Sequence, residues 1–259
     1  MSEHTHLLPA ERLERIREAL LLEGSVRVAE LASLLQVSDV TVRADLSQLE
    51  REGLLKRTHG GAVLVRRTRF ERPFAEQQTQ RVVEKRRIGQ AATELIEDED
   101  TIILDVGTTT TEIARHMPAV NNVVVVTNGL NIASELEHCP GVTVVVTGGT
   151  LRPMQHSLVN PYATLLLSQI NADKLFLGCN GVSLEKGITN SNLQEAEIKK
   201  AMVSAAKFVV AVADSSKIGA VSAAHVCTLA DVDALITNSD ADPDGLRRLR
   251  EAGLNVIVV

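Results

Sequence analysis

Seven short apolar runs rich in β-branched residues recur through the second half of this chain, at 101–105, 123–127, 142–147, 174–177, 208–213, 234–237 and 256–259. Most are apolar throughout instead of alternating, so both faces of each strand must be covered, and stretches with helical spacing separate them. The pattern predicts a mostly parallel sheet with helices on both faces. Sheets of that kind bind ligands beyond the carboxyl ends of their strands.

The residues that follow those runs are therefore the ones to read for chemistry. The first run ends Asp105-Val106-Gly107-Thr108-Thr109-Thr110-Thr111 and passes into a helix bearing Ile113, which gathers backbone N–H groups and hydroxyls into a site for an anion such as phosphate. The second ends Thr127-Asn128, the third Gly148-Gly149, and a later one Gly178-Cys179-Asn180-Gly181. Glycines let backbone approach a ligand, while Asn and Thr offer neutral hydrogen bonds to sugar hydroxyls. Glu195 and Lys199 lie four apart on a helix expected over 193–206, and Asp214-Ser215-Ser216-Lys217 follows the next strand. Plainer readings stand beside these: a surface ion pair for Glu195 and Lys199, an Asx turn for Asp214, and simple helix capping for the Gly-Thr turn.

The first seventy residues have a different design. Leu13, Ile16, Leu20 and Leu21 space a helix over about 10–22, and Val28, Leu31, Leu34 and Leu35 a shorter one. Ser38 then caps a third helix whose apolar stripe is Val42, Leu46 and Leu49 and whose other face is Thr41, Arg43, Ala44, Ser47 and Gln48, ending at Gly53. Strands over 54–58 and 62–65 follow, joined across His59-Gly60-Gly61, where glycine can supply positive φ. This is the order of a winged helix-turn-helix, with the third helix entering the major groove of double-stranded DNA and the wing meeting phosphates. The contacts expected are Ser38, Thr41, Arg43, Ser47, Gln48, Lys56, Arg57, His59, Gly60 and Gly61. Asp45, a carboxylate among them, reads as structural, orienting Arg43 or a wing cation.

Residues 1–66 are thus expected to be the DNA-binding domain, 67–87 a charged linker with few apolar anchors, and 88–259 a sensor domain entered through a helix around 84–97. Charge agrees with that division. The net charge of −6 conceals twelve basic against eleven acidic residues over 1–72, and seven against four over 38–69, where the DNA contacts are placed. Aromatic residues make up 2%, with no Trp, which leaves little material for the stacking surfaces of single-strand binders. Cys139, Cys179 and Cys227 are too scattered for a zinc site, His4 and His6 carry no weight as ligands, and no metal or cofactor is expected. No apolar run is long enough to span a bilayer and the N-terminus lacks a leader's basic and apolar regions, so the expected location is the cytoplasm, away from the membrane.

The segments Val28-Ala-Glu-Leu-Ala, Val37-Ser-Asp-Val-Thr-Val-Arg-Ala-Asp-Leu46, Leu49-Glu-Arg-Glu-Gly53 and Arg57-Thr-His-Gly-Gly-Ala62 resemble the N-terminal signature of the DeoR family of bacterial regulators. In the second half Asp105-x-Gly-Thr-Thr109, Thr127-Asn128, Gly148-Gly149, Asp173-x-x-Phe-x-Gly178, Gly187-Ile-Thr189, Glu195, Lys199 and Asp214-x-Ser-Lys217 stand at the matching points. The resemblance implies an α/β sensor domain similar in fold to ribose-5-phosphate isomerase. It implies an effector phosphate on Gly107 to Thr110, with Asp105, Asn128, Gly149, Glu195 and Lys217 near the sugar. Three positions depart from the family pattern: Ala44 in place of a second basic residue, Asn160 in place of Gly and Asn238 in place of Asp. The function implied is that of a sequence-specific DNA-binding regulator. It would repress a carbohydrate-utilisation operon as a homo-oligomer, a dimer or tetramer, on paired half-sites, and respond to a phosphorylated sugar. The Gly107 to Ala114 stretch looks closest to relatives controlling amino-sugar and hexitol use. The alternative is a sugar-phosphate isomerase-like enzyme working through Asp105, Glu195, Asp214 and Lys217.

Overall fold

The computed structural model describes residues 9–51, 55–64 and 73–259, and the chain divides into two compact units, residues 1–67 and 68–259. The first unit runs α1 (Pro9–Glu23), β1 (Ser25–Arg27), α2 (Val28–Leu35), α3 (Asp39–Arg51), β2 (Leu55–Thr58) and β3 (Gly61–Leu64). Leu13, Ile16 and Leu20 of α1, Val28, Leu31 and Leu35 of α2, and Val42, Leu46 and Leu49 of α3 share one buried core with Val26, Leu55 and Ala62. Leu34, expected in that core, is 62% exposed: it falls about 100° round the helix from Leu35, outside the stripe its neighbours fill.

The wing differs from its expectation in one respect. Its turn is only His59-Gly60, since Gly61 already opens β3 opposite Thr58. Neither glycine adopts a left-handed φ. Gly61 is needed for close approach instead: β3 also pairs with β1, and a Cβ at 61 would lie 2.0 Å from the Val26 carbonyl oxygen. That third strand has three residues with one buried, too short for a periodic signal. Gly53, Leu54, Val65, His4 and His6 and the Arg66 to Arg69 stretch lie outside the described residues.

The second unit opens with α4 (Phe74–Gln78) and α5 (Val82–Thr93), so the segment expected to be linker holds one short helix and the start of another. Phe74 is buried with its ring edge-on to His156, and Lys85 is buried with its ammonium on the Gln77 carbonyl, 2.6 Å away. One apolar and one amphipathic side chain anchor a stretch whose polarity reads as exposed.

The main sheet has seven strands, all parallel: β4 (Thr101–Leu104), β5 (Val123–Thr127), β6 (Val142–Val146), β9 (Ala172–Gly178), β12 (Ala206–Val212), β14 (Ala234–Thr237) and β15 (Asn255–Val258), in the order β15-β14-β12-β9-β4-β5-β6. Each of the seven apolar runs supplies one. Helices α5, α6 (Thr108–Arg115) and α7 (Leu130–Leu136) cover one face, and α8 (Tyr162–Leu167), α9 (Leu193–Ala205) and α10 (Pro243–Glu251) the other. Short antiparallel strands, β7 (Thr150–Arg152) with β8 (Ser157–Val159) and β10 (Gly181–Ser183) with β11 (Gly187–Asn190) and β13 (Ala224–Cys227), sit beyond the sheet. From β4 the order runs one way through β5 and β6, and the other way through β9, β12, β14 and β15. The switch point lies between β4 and β9.

Helices α5 and α6 cross where Gly89 meets Glu112, and a Cβ at 89 would sit 2.6 Å from the Glu112 Cβ and 2.8 Å from its carbonyl carbon. Gly89→Ala is expected to cost about 1–3 kcal/mol of unfolding free energy, read from the urea midpoint. An unchanged midpoint would contradict the crossing.

Candidate functional site

In the first unit the exposed side of α3 is held by buried chemistry on its other side. Asp45 is buried, and Arg12 of α1 grips it through two bonds, Nε to Oδ2 at 2.5 Å and Nη2 to Oδ1 at 3.0 Å. The carboxylate in turn holds the guanidinium above its ordinary pKa. Asp45 is therefore structural, as expected, but its partner is Arg12 and neither Arg43 nor a wing cation. The Ser38 hydroxyl accepts the Thr41 N–H at 3.2 Å and caps the helix. Ser47 donates to the Arg43 carbonyl at 2.7 Å and accepts from Arg57 Nη1 at 2.7 Å, while the Arg57 N–H reaches Glu50. The wing is thus laced to the recognition helix through Ser47 and Arg57. Arg43, Gln48, Lys56, His59 and Gly60 are exposed on this side. Gly61, packed against β1, is buried.

In the second unit the expected residues gather at the carboxyl ends of five adjacent strands, β6, β5, β4, β9 and β12. Asp105, fully buried, follows β4. Its Oδ2 accepts the Gly178 N–H from β9 at 3.0 Å and the Lys199 ammonium from α9, and Lys199 also donates to the Gly178 carbonyl at 3.0 Å. Three elements are therefore tied across the switch point. Asn128 Oδ1 accepts the Val106 N–H at 2.9 Å. Asp105 Oδ1 and Asn128 Nδ2, both buried, have no hydrogen-bond partner among the described residues.

Glu195 is also buried and does not pair with Lys199. Its Oε1 accepts from Arg152 and from Ser157 Oγ at 2.6 Å, and its Oε2 from Asn190 at 3.2 Å. The reading of Glu195 and Lys199 as a surface pair is excluded by burial and by these separate partners. Arg152, Ser157 and Asn190 were not legible as site residues, because they come from three-to-four-residue strands that leave no period in the sequence.

The threonine run divides. Thr110 and Thr111 hydroxyls donate back to the Gly107 carbonyl, at 3.0 and 2.6 Å, so they are spent on the helix's own backbone, and since no side chain among the described residues caps the helix start the plainer capping reading does not hold. Thr108 is half-buried and Thr109 buried at the first turn of α6, after Gly107. Gly148 and Gly149 take φ of 70° and 119°, and a Cβ on Gly149 would strike the Val159 carbonyl oxygen at 2.0 Å. Thr127 and Asn180 are spent locally: Thr127 Oγ1 accepts the Gly129 N–H at 3.0 Å, and Asn180 Oδ1 takes Ser191 N–H and hydroxyl.

Asp214 caps the turn Ser215–Lys217 through Ser216, so its Asx reading holds, and Arg81 approaches it at 3.6 Å while bonding Ser215 Oγ at 3.1 Å. Asn238 uses both ends of its amide here, accepting from Ser215 N–H at 2.7 Å and donating to Asp240 at 3.0 Å. An Asp at 238 would lack that donor. Asn160 reaches Glu197 on α9 at 2.8 Å. Burial lowers the Lys85 ammonium to about 8, opposed by Asp214 and reinforced by Lys217, so Lys85, Arg81 and Lys217 form a cationic group beside that turn. Arg81 and Lys85 were hidden by their assignment to the linker. Burial pushes the Cys179 thiol up to about 11, which keeps it protonated and no nucleophile at neutral pH.

A winged helix-turn-helix joined to an α/β unit with a polar site at its switch point defines a transcription regulator. A model of the DeoR-like helix-turn-helix domain matches residues 12–68, and one of the DeoR C terminal sensor domain matches residues 80–239. The chain is similar to the HTH-type transcriptional regulator GlpR of Haloferax volcanii, 38% identical over 97% of this chain and 98% of that one. It is also similar to the putative aga operon transcriptional repressor of Escherichia coli O157:H7, 37% identical over 96% and 94%. Among solved structures, a ribose 5-phosphate isomerase from Plasmodium falciparum aligns over 51% of each chain at 13% identity and a TM-score of 0.38. This chain belongs to the DeoR family of DNA-binding transcription regulators. No helix among the described residues is long and apolar enough to cross a membrane.

Burial pushes the Asp105 carboxyl up to about 6, against the pull of Lys199. A carboxyl raised in the folded state contributes stability that is full below its ordinary value of 3.8 and is lost as pH rises through about 6. Asp105→Asn cannot ionise. The wild type should therefore lose about 2–3 kcal/mol relative to the variant across that window, as urea unfolding at a series of pH values would record. A difference independent of pH would contradict the assignment.

Proposed function

We propose that the chain represses a carbohydrate-utilisation operon in the cytoplasm and is released by a phosphorylated sugar bound at the strand ends of its second unit. The observation that carries the reading is the pair of bare buried atoms, Asp105 Oδ1 and Asn128 Nδ2, beside the first turn of α6. An acceptor and a donor held out of water without partners cost free energy that a ligand hydroxyl between them recovers. The N–H groups of Gly107, Thr108, Thr109 and Thr110 and the hydroxyls of Thr108 and Thr109 receive the phosphate, with Lys217, Lys85 and Arg81 supplying positive charge. Gly149, Glu195 and Asn128 border the sugar, and Lys199 positions Asp105. Thr127, Gly148, Asn180 and Asp214 shape the turns that hold these groups.

In the DNA-binding unit Arg43 and Gln48 reach base edges, and Ser38, Thr41, Lys56, Arg57, His59 and Gly60 meet phosphates. Because one such helix reads few base pairs, the chain acts as a homo-oligomer on paired half-sites. The reading is of a site that binds without turnover: Glu195 spends both oxygens on Arg152, Ser157 and Asn190, and Asp105 offers its bare Oδ1 to a ligand hydroxyl as a hydrogen-bond acceptor. The Escherichia coli relative is named as an operon repressor, which supports the sign of regulation.

Thermal melts with a panel of sugar phosphates and their unphosphorylated parents test the sensor reading, since a ligand of the native state raises its melting temperature. Stabilisation confined to phosphorylated sugars is the expected result, and none by any member would overturn it. Arg43→Ala is expected to weaken operator binding by about 1–3 kcal/mol with the fold intact, and unchanged affinity would remove the recognition-helix role. The double variant Thr108→Val, Thr109→Val should bind DNA normally and no longer respond to the effector; a retained response would move the phosphate elsewhere.

A further inference from the structure

Among the described residues the most exposed large apolar side chain is Val40, at 76%, and it stands in the first turn of α3. Its position on that helix is what matters. Successive residues of an α-helix turn by about 100°. The buried side chains of α3, Val42, Asp45, Leu46 and Leu49, gather on one side at that spacing, and Val40 and Ala44 fall opposite the middle of it, both exposed. Arg43 borders this pair on one flank and Gln48 on the other, also exposed. Ser47, next along the same line, has its hydroxyl spent on the Arg43 carbonyl and on Arg57 Nη1, each at 2.7 Å. The centre of the outward face is therefore apolar over the first two turns, and polar only at its borders.

We propose that Val40 and Ala44 read the 5-methyl groups of thymine, so that each half-site of the operator sets A·T pairs against the N-terminal half of α3. Of the four bases only thymine presents a methyl group in the major groove; the other edges offer amino donors or N7 and O6 acceptors. A valine or an alanine laid on those polar edges takes water from them and returns no hydrogen bond, which opposes binding. Laid against a methyl group, it removes apolar surface from water on both sides.

Charge selects duplex DNA as the occupant. Arg43 adjoins the strip, and Lys56 and Arg57 are exposed on the wing that Ser47 ties to this helix, within a segment of seven basic against four acidic residues over 38–69. The exposed carboxylates of α3, Asp39 and Glu50, fall roughly a quarter-turn or more from Val40 and Ala44. The departure from the family pattern at position 44 has the same sense. A basic side chain there would hydrogen-bond guanine, whereas Ala44 adds one more methyl to the strip. The inference rests on the reading of α3 as the helix in the major groove and deepens it by naming the base that its centre meets.

Duplexes selected from a random pool by the full chain, then resynthesised with deoxyuridine for thymine one position at a time, test it, because uracil lacks only that methyl group. Wild type should bind roughly 3- to 5-fold more weakly when uracil replaces thymine at one or two positions of each half-site, the worth of one buried methyl group. The double variant Val40→Ser, Ala44→Ser should fold with an unchanged circular dichroism spectrum, bind the thymine duplex more weakly, and no longer distinguish uracil at those positions. Arg43→Ala should weaken binding to all of these duplexes by a common factor and keep the uracil penalty. Equal wild-type affinity for thymine and uracil duplexes at every position would overturn the proposal and leave the strip to another kind of surface, and so would a penalty that the double variant retains. Weakening by Arg43→Ala without any uracil penalty would remove the thymine contact alone, whereas unchanged affinity in Arg43→Ala would remove the recognition-helix reading and the thymine contact with it.

Discussion

The buried ion pair between Lys199 and Asp105 is the constraint around which the sensor unit is arranged. It joins the end of β4, the end of β9 through Gly178 and the middle of α9, at the place in the parallel sheet where the order of strand addition reverses. Burying two charges is expensive, and apolar side chains of similar volume commonly stabilise a core as well or better. The pair is better understood by what it leaves over. Asp105 spends Oδ2 on structure and keeps Oδ1 bare, and the Asn128 amide nitrogen is likewise without a partner among the described residues. Glu195, one turn earlier on the same helix, is instead fully spent, with Oε1 on Arg152 and Ser157 and Oε2 on Asn190.

The DNA-binding unit uses the same logic at smaller scale. Arg12 and Asp45 form a buried two-bond clamp from α1 to α3, and the side chains on the opposite side of α3 are left exposed. Arg57 and Ser47 fix the wing to the same helix. In both units a buried acid–base pair ties neighbouring elements together.

Much of this was legible in the sequence, for identifiable reasons. The seven strands of the main sheet are buried on both faces and so appear as continuous apolar runs, and the helices beside them are long enough to show a stripe. The short antiparallel strands were not legible: at three or four residues, β1, β7, β8 and β10 to β13 other than the long β12 carry no measurable period, and they contribute Arg152, Ser157 and Asn190 to the site. The segment 73–87 was misread because Phe74 and Lys85 bury themselves within a polar composition. Residue types at strand ends placed Asp105, Asn128, Glu195 and Lys199 together but could not pair them. Spacing suggested Glu195 with Lys199, whereas the chain fold gives each a different partner. Leu34 and Gly61 show the same limit, since what decides their burial is the position of a neighbouring element.

Regulation requires that ligand and operator sense one another, and any such coupling is reciprocal. Calorimetric titration of the stabilising sugar phosphate into the free protein and into its operator complex tests this directly. The account predicts weaker effector binding to the operator complex, by the same factor by which the effector weakens operator binding. Equal affinity for the two forms would contradict it, since a ligand that binds both states equally shifts neither.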